Sequence, residues 1–144
     1  MPKSKSPGAP LVVWQGGHPY SEQFGDYYYS QNNGQAECRH VFVDGNALLE
    51  RWRSSTHFQI GELGFGTGLN LLETWRLWKA HRQPLQTLTF TSVEAYPLDI
   101  ETAESALTCW PDLAPLAQTL LGHWPQLGTR TVELDSQTKL MVVP

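Results

Sequence analysis

Upstream of residue 58 the apolar positions come in short runs broken by turn residues; from Phe58 on they alternate between strand-like runs and helix-spaced faces. Leu11–Trp14 predicts a short strand, Gln15-Gly16-Gly17-His18-Pro19 a turn, and the aromatic stretch Tyr20–Ser30 an extended segment. Asn32-Asn33-Gly34 signals another turn. Cys38–Val43 reads as a further strand, and Asn46 is placed to cap a short helix over Ala47–Trp52. Residues 11–57 are therefore expected to form a β-rich extension.

The downstream part predicts an alternating α/β order. Phe58–Leu63 is the first strand of this part. Leu69–Arg82 follows as a helix, with Leu71, Leu72, Trp75 and Trp78 on one face and Pro84 beyond its end. Leu88–Val93 is the second strand. Pro97 and Asp99 suit a helix start, and Ile100, Ala103, Leu107 and Trp110 line an apolar side. Another helical pattern runs from Leu113 to Trp124. Thr131–Leu134 and Leu140–Val143 read as strands joined by a polar turn at Asp135-Ser136-Gln137. Strand and helix in alternation imply a parallel α/β sheet with right-handed crossovers over residues 58–144. Doubly wound sheets commonly carry about five or six strands, and fewer are found here. The apolar stretch Leu140–Val143 sits at the end of the sequence, so the chain is expected to stop inside its fold and to self-associate through that strand.

Composition changes this picture little. The 144 residues are 40% hydrophobic and 17% charged, with a formal net charge of −4. Apolar runs are too short to span a bilayer. Residues 1–10 are basic and rich in Pro and Ser, with no apolar stretch behind them, and read as a disordered lead-in rather than a signal peptide. Cys38 and Cys109 are far apart, which argues against a disulfide framework or zinc site and for a reducing cytoplasm; both read as small buried residues. The five histidines show no metal-ligand spacing, and the six tryptophans mostly fall at helix-core positions. Net acidity gives no general pull toward nucleic acid. A local patch would have to come from Arg39, His40, Arg51 and Arg53, or from Lys79, His81 and Arg82.

The chemistry is concentrated in Gly64-Phe65-Gly66-Thr67-Gly68, which follows a strand and opens a helix. Glycine permits a sharp turn and close approach of a ligand, and a helix start offers unpaired N–H groups. A Walker phosphate loop requires a Lys that is not present. A dinucleotide fingerprint would place the third glycine one residue later. The spacing G-x-G-x-G suits S-adenosylmethionine. Glu94, at the end of the next strand, can accept hydrogen bonds from both ribose hydroxyls of a nucleoside cofactor. Glu62, just before the loop, can face the amino group of the methionine end. The aromatic run Phe24, Tyr27, Tyr28 and Tyr29 can supply a wall that stacks on a base or attracts a sulfonium.

These residues resemble a known family. Phe24-Gly25-Asp26-Tyr27-Tyr28-Tyr29-Ser30, Arg39-His40-Val41-Phe42 with Gly45-Asn46, Gly61 to Asn70, Ser92 to Leu98 and Trp110-Pro111-Asp112-Leu113 occur in the order found in the methyltransferase domain of MnmC, a bacterial bifunctional enzyme of tRNA wobble-uridine modification. The resemblance implies a Rossmann-like domain that uses S-adenosylmethionine to methylate an aminomethyl nitrogen on tRNA. It implies that Gly64, Gly66 and Gly68 shape the cofactor turn, with Phe65 and Thr67 between them. Glu94 would hold the ribose, and Glu62, Asn70, Tyr28 and Ser30 would line the methionine end. FAD, used by a further domain of full-length members, is not expected here. The family continues past the position of Pro144 into an acidic segment of the form D-G-F-A-P-x-K-N-P beside the reactive centre. By that comparison this chain alone is expected to be a weak or inactive catalyst.

Overall fold

The computed structural model describes residues 11–28 and 33–144. The expected lead-in, Ser30 and Tyr29 lie outside them. The described residues form two sheets. The first is an antiparallel meander of β1 (Val12–Gln15), β2 (His18–Ser21) and β3 (Asp26–Tyr27). The second has four strands in the order β4-β5-β7-β6, built from β4 (His57–Leu63), β5 (Thr87–Val93), β6 (Val132–Asp135) and β7 (Thr138–Val143). β4, β5 and β7 run parallel, and β6 returns antiparallel to β7. The helices are α1 (Gly34–Glu37), α2 (Leu48–Arg53), α3 (Leu69–His81), α4 (Ile100–Leu107) and α5 (Ala114–His123).

Alternation along each strand decides which face is buried. Ile60, Glu62, Leu88, Phe90, Ser92, Leu140 and Val142 point into one layer with α3 and α5. On the other face Gln59, Gly61, Leu63, Thr89, Thr91, Val93, Met141 and Val143 are exposed or half-buried. Trp52, Trp75 and Trp78 fill the core, as the helix spacing predicts. α4 starts where Asp99 accepts the N–H of Thr102 at 2.8 Å, a capping bond that fixes the helix start.

The stretch between the meander and β4 departs from the sequence expectation. Cys38–Val43 is not a strand: Cys38–Asp44 forms seven residues of π-helix continuous with α1. Its Cys38, Val43 and Phe42 pack inward, Phe42 with its ring 6.0 Å from that of Phe90. That spacing of apolar residues also fits a strand read locally, and packing against α3 and the sheet selects the helix. Asn46 does not cap α2. Its Nδ2 donates to the Phe42 carbonyl, and Ala47 takes the cap position with φ of 50°. Cys38 is buried as expected, but Cys109 is exposed. The strand carrying Leu140–Val143 lies inside the sheet, where β5 covers its whole length and β6 covers Thr138 to Leu140. The sheet's outer strands are β4 and β6.

Candidate functional site

The site forms where β4 and β5 end side by side. Their register sets Glu62 opposite Ser92 and Leu63 opposite Val93. The glycine loop leaves β4 with the Gly64 N–H donating to the Val93 carbonyl at 2.7 Å. Gly64, Gly66 and Gly68 all have positive φ, between 55° and 84°, a region costly for residues with a Cβ. At Gly68 space is short as well: a Cβ would lie 2.8 Å from Leu120 Cδ2 and 3.1 Å from Phe65 Cζ. Gly68 opens α3, whose first N–H groups lack acceptors within the helix.

Glu94 closes the loop from the other side. Its Oε1 accepts the Gly66 N–H at 2.8 Å and its Oε2 accepts the Tyr96 N–H at 3.2 Å. Two clefts flank this corner and share Phe65 and Gly66. One, of about 560 Å³, is mostly apolar and is lined by Glu94, Leu98, Ile100, Trp124 and Val143 among others. The other, of about 250 Å³, is lined by Tyr28, Glu37, Cys38, Phe42, Thr67 and Asn70 among others. Trp124 is fixed in the first cleft by its Nε1–H, which donates to the Leu98 carbonyl at 3.0 Å, and its ring lies 5.7 Å from that of Phe65.

Among the described residues, Tyr28, Glu62, Asn70 and Glu94 lie around the glycine loop, while Phe24 and Tyr27 line neither cleft. Phe65 and Thr67 are buried within the loop. Tyr28 stands over Gly66, with its Cδ1 3.5 Å from where a Cβ would be. Asn70 lines the second cleft and donates its Nδ2–H to Glu62 Oε2 at 2.9 Å. Glu62 itself lines neither cleft. It lies beneath the loop, where Ser92 Oγ donates to its Oε1 at 2.8 Å. Burial pushes the Glu62 carboxyl up to about 7, against the hydrogen bonds from Asn70 and Ser92, and the charge of Glu94 adds to the rise. Burial likewise pushes the Cys38 thiol up to about 12, helped by Glu73 and Glu62. Ser30 lies outside the described residues.

Sequence reasoning misses Ser92, Trp124 and the π segment. Ser92 has a signal: it continues the inward series of Leu88 and Phe90 with a polar residue. Trp124 reads from its spacing as a core residue of α5, and the cleft it walls depends on tertiary placement. Of the basic residues, Arg82 is taken up by Asp135 at 2.8 Å, and Arg51 lies over the Phe58 ring. Arg39, His40 and Arg53 stay exposed. No helix among the described residues is long and apolar enough to cross a membrane.

Three parallel strands with an antiparallel fourth, a glycine turn that opens a helix, and an acid at the next strand end define an α/β fold of the Rossmann-like, methyltransferase type. The chain is 47% identical over 131 residues to the tRNA 5-methylaminomethyl-2-thiouridine biosynthesis bifunctional protein MnmC of Marinobacter nauticus, covering 85% of this chain and 21% of that protein. It is 49% identical over 118 residues to the protein of the same name from Nitrosospira multiformis, covering 79% of this chain and 19% of that one. It belongs to the MnmC family. It spans about a fifth of the length of these curated relatives. A crystal structure of MNMC2 from Aquifex aeolicus superposes with a TM-score of 0.60 at 20% identity, over 99% of this chain and 43% of that one. No family model matches the chain.

Proposed function

We propose that this chain binds S-adenosylmethionine across the two clefts, as part of a cytoplasmic enzyme site that methylates an aminomethyl group on a tRNA wobble uridine. The observation that carries the reading is the Glu94 carboxylate, drawn onto the glycine loop at Gly66 between the clefts. Its remaining lone pairs can accept the ribose hydroxyls, with adenine in the larger apolar cleft and the methionine end toward Asn70. The charge pattern favours this cofactor over a dinucleotide. Glu94 and Glu37 line the clefts beside the loop, and a pyrophosphate there would meet like charge. A sulfonium and an ammonium would meet opposite charge.

Calorimetric titration tests the cofactor reading: saturable binding of S-adenosylhomocysteine without binding of NADH is expected, and the reverse would overturn it. Methyl transfer is a separate question, since a nucleophilic amine must also be deprotonated and held in line with the methyl group.

A further inference from the structure

Phe24 and Tyr96 are large, exposed rings, at 64% and 42% of their surface, and neither lines either cleft. They nevertheless meet edge to face with centroids 5.5 Å apart, an arrangement that aromatic pairs favour. Phe24 sits on the turn between β2 and β3. Its N–H donates to Ser21 Oγ at 3.2 Å, and the Gly25 N–H donates to the Ser21 carbonyl at 2.8 Å. The Tyr28 N–H donates to the Pro19 carbonyl of β2 at 3.3 Å. Tyr28 in turn covers Gly66, whose N–H donates to Glu94, and the other oxygen of Glu94 takes the Tyr96 N–H. The contacts close a ring through β2: Ser21, Phe24, Tyr96, Glu94, Gly66, Tyr28 and back to Pro19.

We propose that Phe24 and Tyr96 are positioning residues that hold the Glu94 carboxylate in the pose a cofactor's ribose requires. The inference rests on the cofactor reading above and extends it to two residues outside the clefts. The Phe24 ring tethers the loop after β5 to the meander, so the Tyr96 N–H stays against Oε2 while the Gly66 N–H holds Oε1. Both carboxylate oxygens are thereby fixed before the ligand arrives, and preorganisation of this kind raises affinity by lowering the cost of ordering on binding. Without the tether Oε2 loses its fixed donor and the carboxylate can turn away from the diol.

The test is calorimetric titration of the 144-residue chain with S-adenosylhomocysteine and with its 2′,3′-dideoxy analogue, which lacks both hydroxyls that Glu94 would accept. Phe24→Ala and Tyr96→Ala are each expected to weaken S-adenosylhomocysteine about five-fold, the scale of one aromatic pair. The double variant should lose little more than either single one, since the two rings act as a unit. Binding of the dideoxy analogue should stay within about two-fold. Tyr96→Phe keeps the ring and should bind as the unsubstituted chain does. If the unsubstituted chain binds and the alanine variants bind equally well, the positioning role is wrong and the cofactor reading stands. Equal loss for both ligands would reduce the pair to a general structural contact and also overturn the proposal. Absence of any S-adenosylhomocysteine binding by the unsubstituted chain would overturn the cofactor reading and this inference with it.

Discussion

The Glu94 carboxylate accepts the backbone N–H of Gly66 at 2.8 Å across 28 residues of sequence. One strand end thus clamps the loop that leaves its neighbour. The same group is the one positioned to take a ribose, so its removal should disturb both the loop and the ligand. Glu94→Ala is expected to lower S-adenosylhomocysteine affinity by about 10- to 100-fold, the scale of losing charge-assisted hydrogen bonds. Titration against the unsubstituted chain measures it, and unchanged affinity would remove Glu94 from the site.

Gly68 is constrained twice, by its φ of 82° and by Leu120 and Phe65 beside the missing Cβ. Gly64 has a similar φ of 84° with open space around it. The pair separates backbone strain from packing. Gly64→Ala should cost about 1–2 kcal/mol from the left-handed backbone alone. Gly68→Ala adds overpacking and should cost about 2–4 kcal/mol. Urea denaturation of both variants tests the order, and a Gly64→Ala loss equal to or larger than that of Gly68→Ala would contradict it.

The sheet, the loop and α3 are legible in the sequence because each is written in local chemistry. Apolar runs mark β4 and β5, three glycines mark the turn, and Leu71, Leu72, Trp75 and Trp78 mark the buried face of α3. Glu94 is legible from its place at a strand end. The segment 38–44 is not, since its apolar spacing fits two local structures and only contact with Phe90 and α3 distinguishes them. The pairing of Phe24 with Tyr96 is equally hidden, because nothing in either neighbourhood points to the other. The placement of β7 between β5 and β6 shows the same limit: local pattern gives a strand, while its neighbours are set by topology. Among the described residues the strand sides of the four-stranded sheet without a sheet partner are the outer sides of β4 and β6 and the Met141–Val143 stretch beyond β6.

The π segment depends on Gly45. Its N–H donates to the His40 carbonyl at 3.0 Å, a bond spanning five residues, and a Cβ there would stand 2.2 Å from the Val41 carbonyl oxygen. No side chain fits without the backbone moving. Gly45→Ala is expected to destabilise the chain by about 1–3 kcal/mol, as overpacking does. It should also disturb the second cleft, which Cys38, Val41 and Phe42 help to line. Thermal melts with near-ultraviolet circular dichroism would register both effects. A variant with unchanged melting temperature would show that the π geometry does not need glycine at this position.

Glu62 should give the chain a pH signature near neutrality. Its carboxyl is raised in the folded chain to about 7 from 4.5, chiefly by burial. Below 4.5 both folded and unfolded chains hold the proton, and Glu62 adds no pH dependence. Between 4.5 and 7 the unfolded chain releases it first, so stability falls as pH rises. Above about 7 the loss levels off at a ceiling on the order of 3 kcal/mol, since each tenfold change in proton affinity corresponds to about 1.4 kcal/mol. Glu62→Gln should flatten this slope while retaining an oxygen that accepts from Ser92 or Asn70. Cofactor binding runs the other way. An ammonium at the methionine end favours the carboxylate, so affinity for S-adenosylhomocysteine should rise through pH 7 in the unsubstituted chain and stay level in Glu62→Gln. Denaturation and titration series from about pH 5 to 8 measure the two opposed trends, and parallel pH profiles for the two proteins would show that Glu62 titrates in neither process.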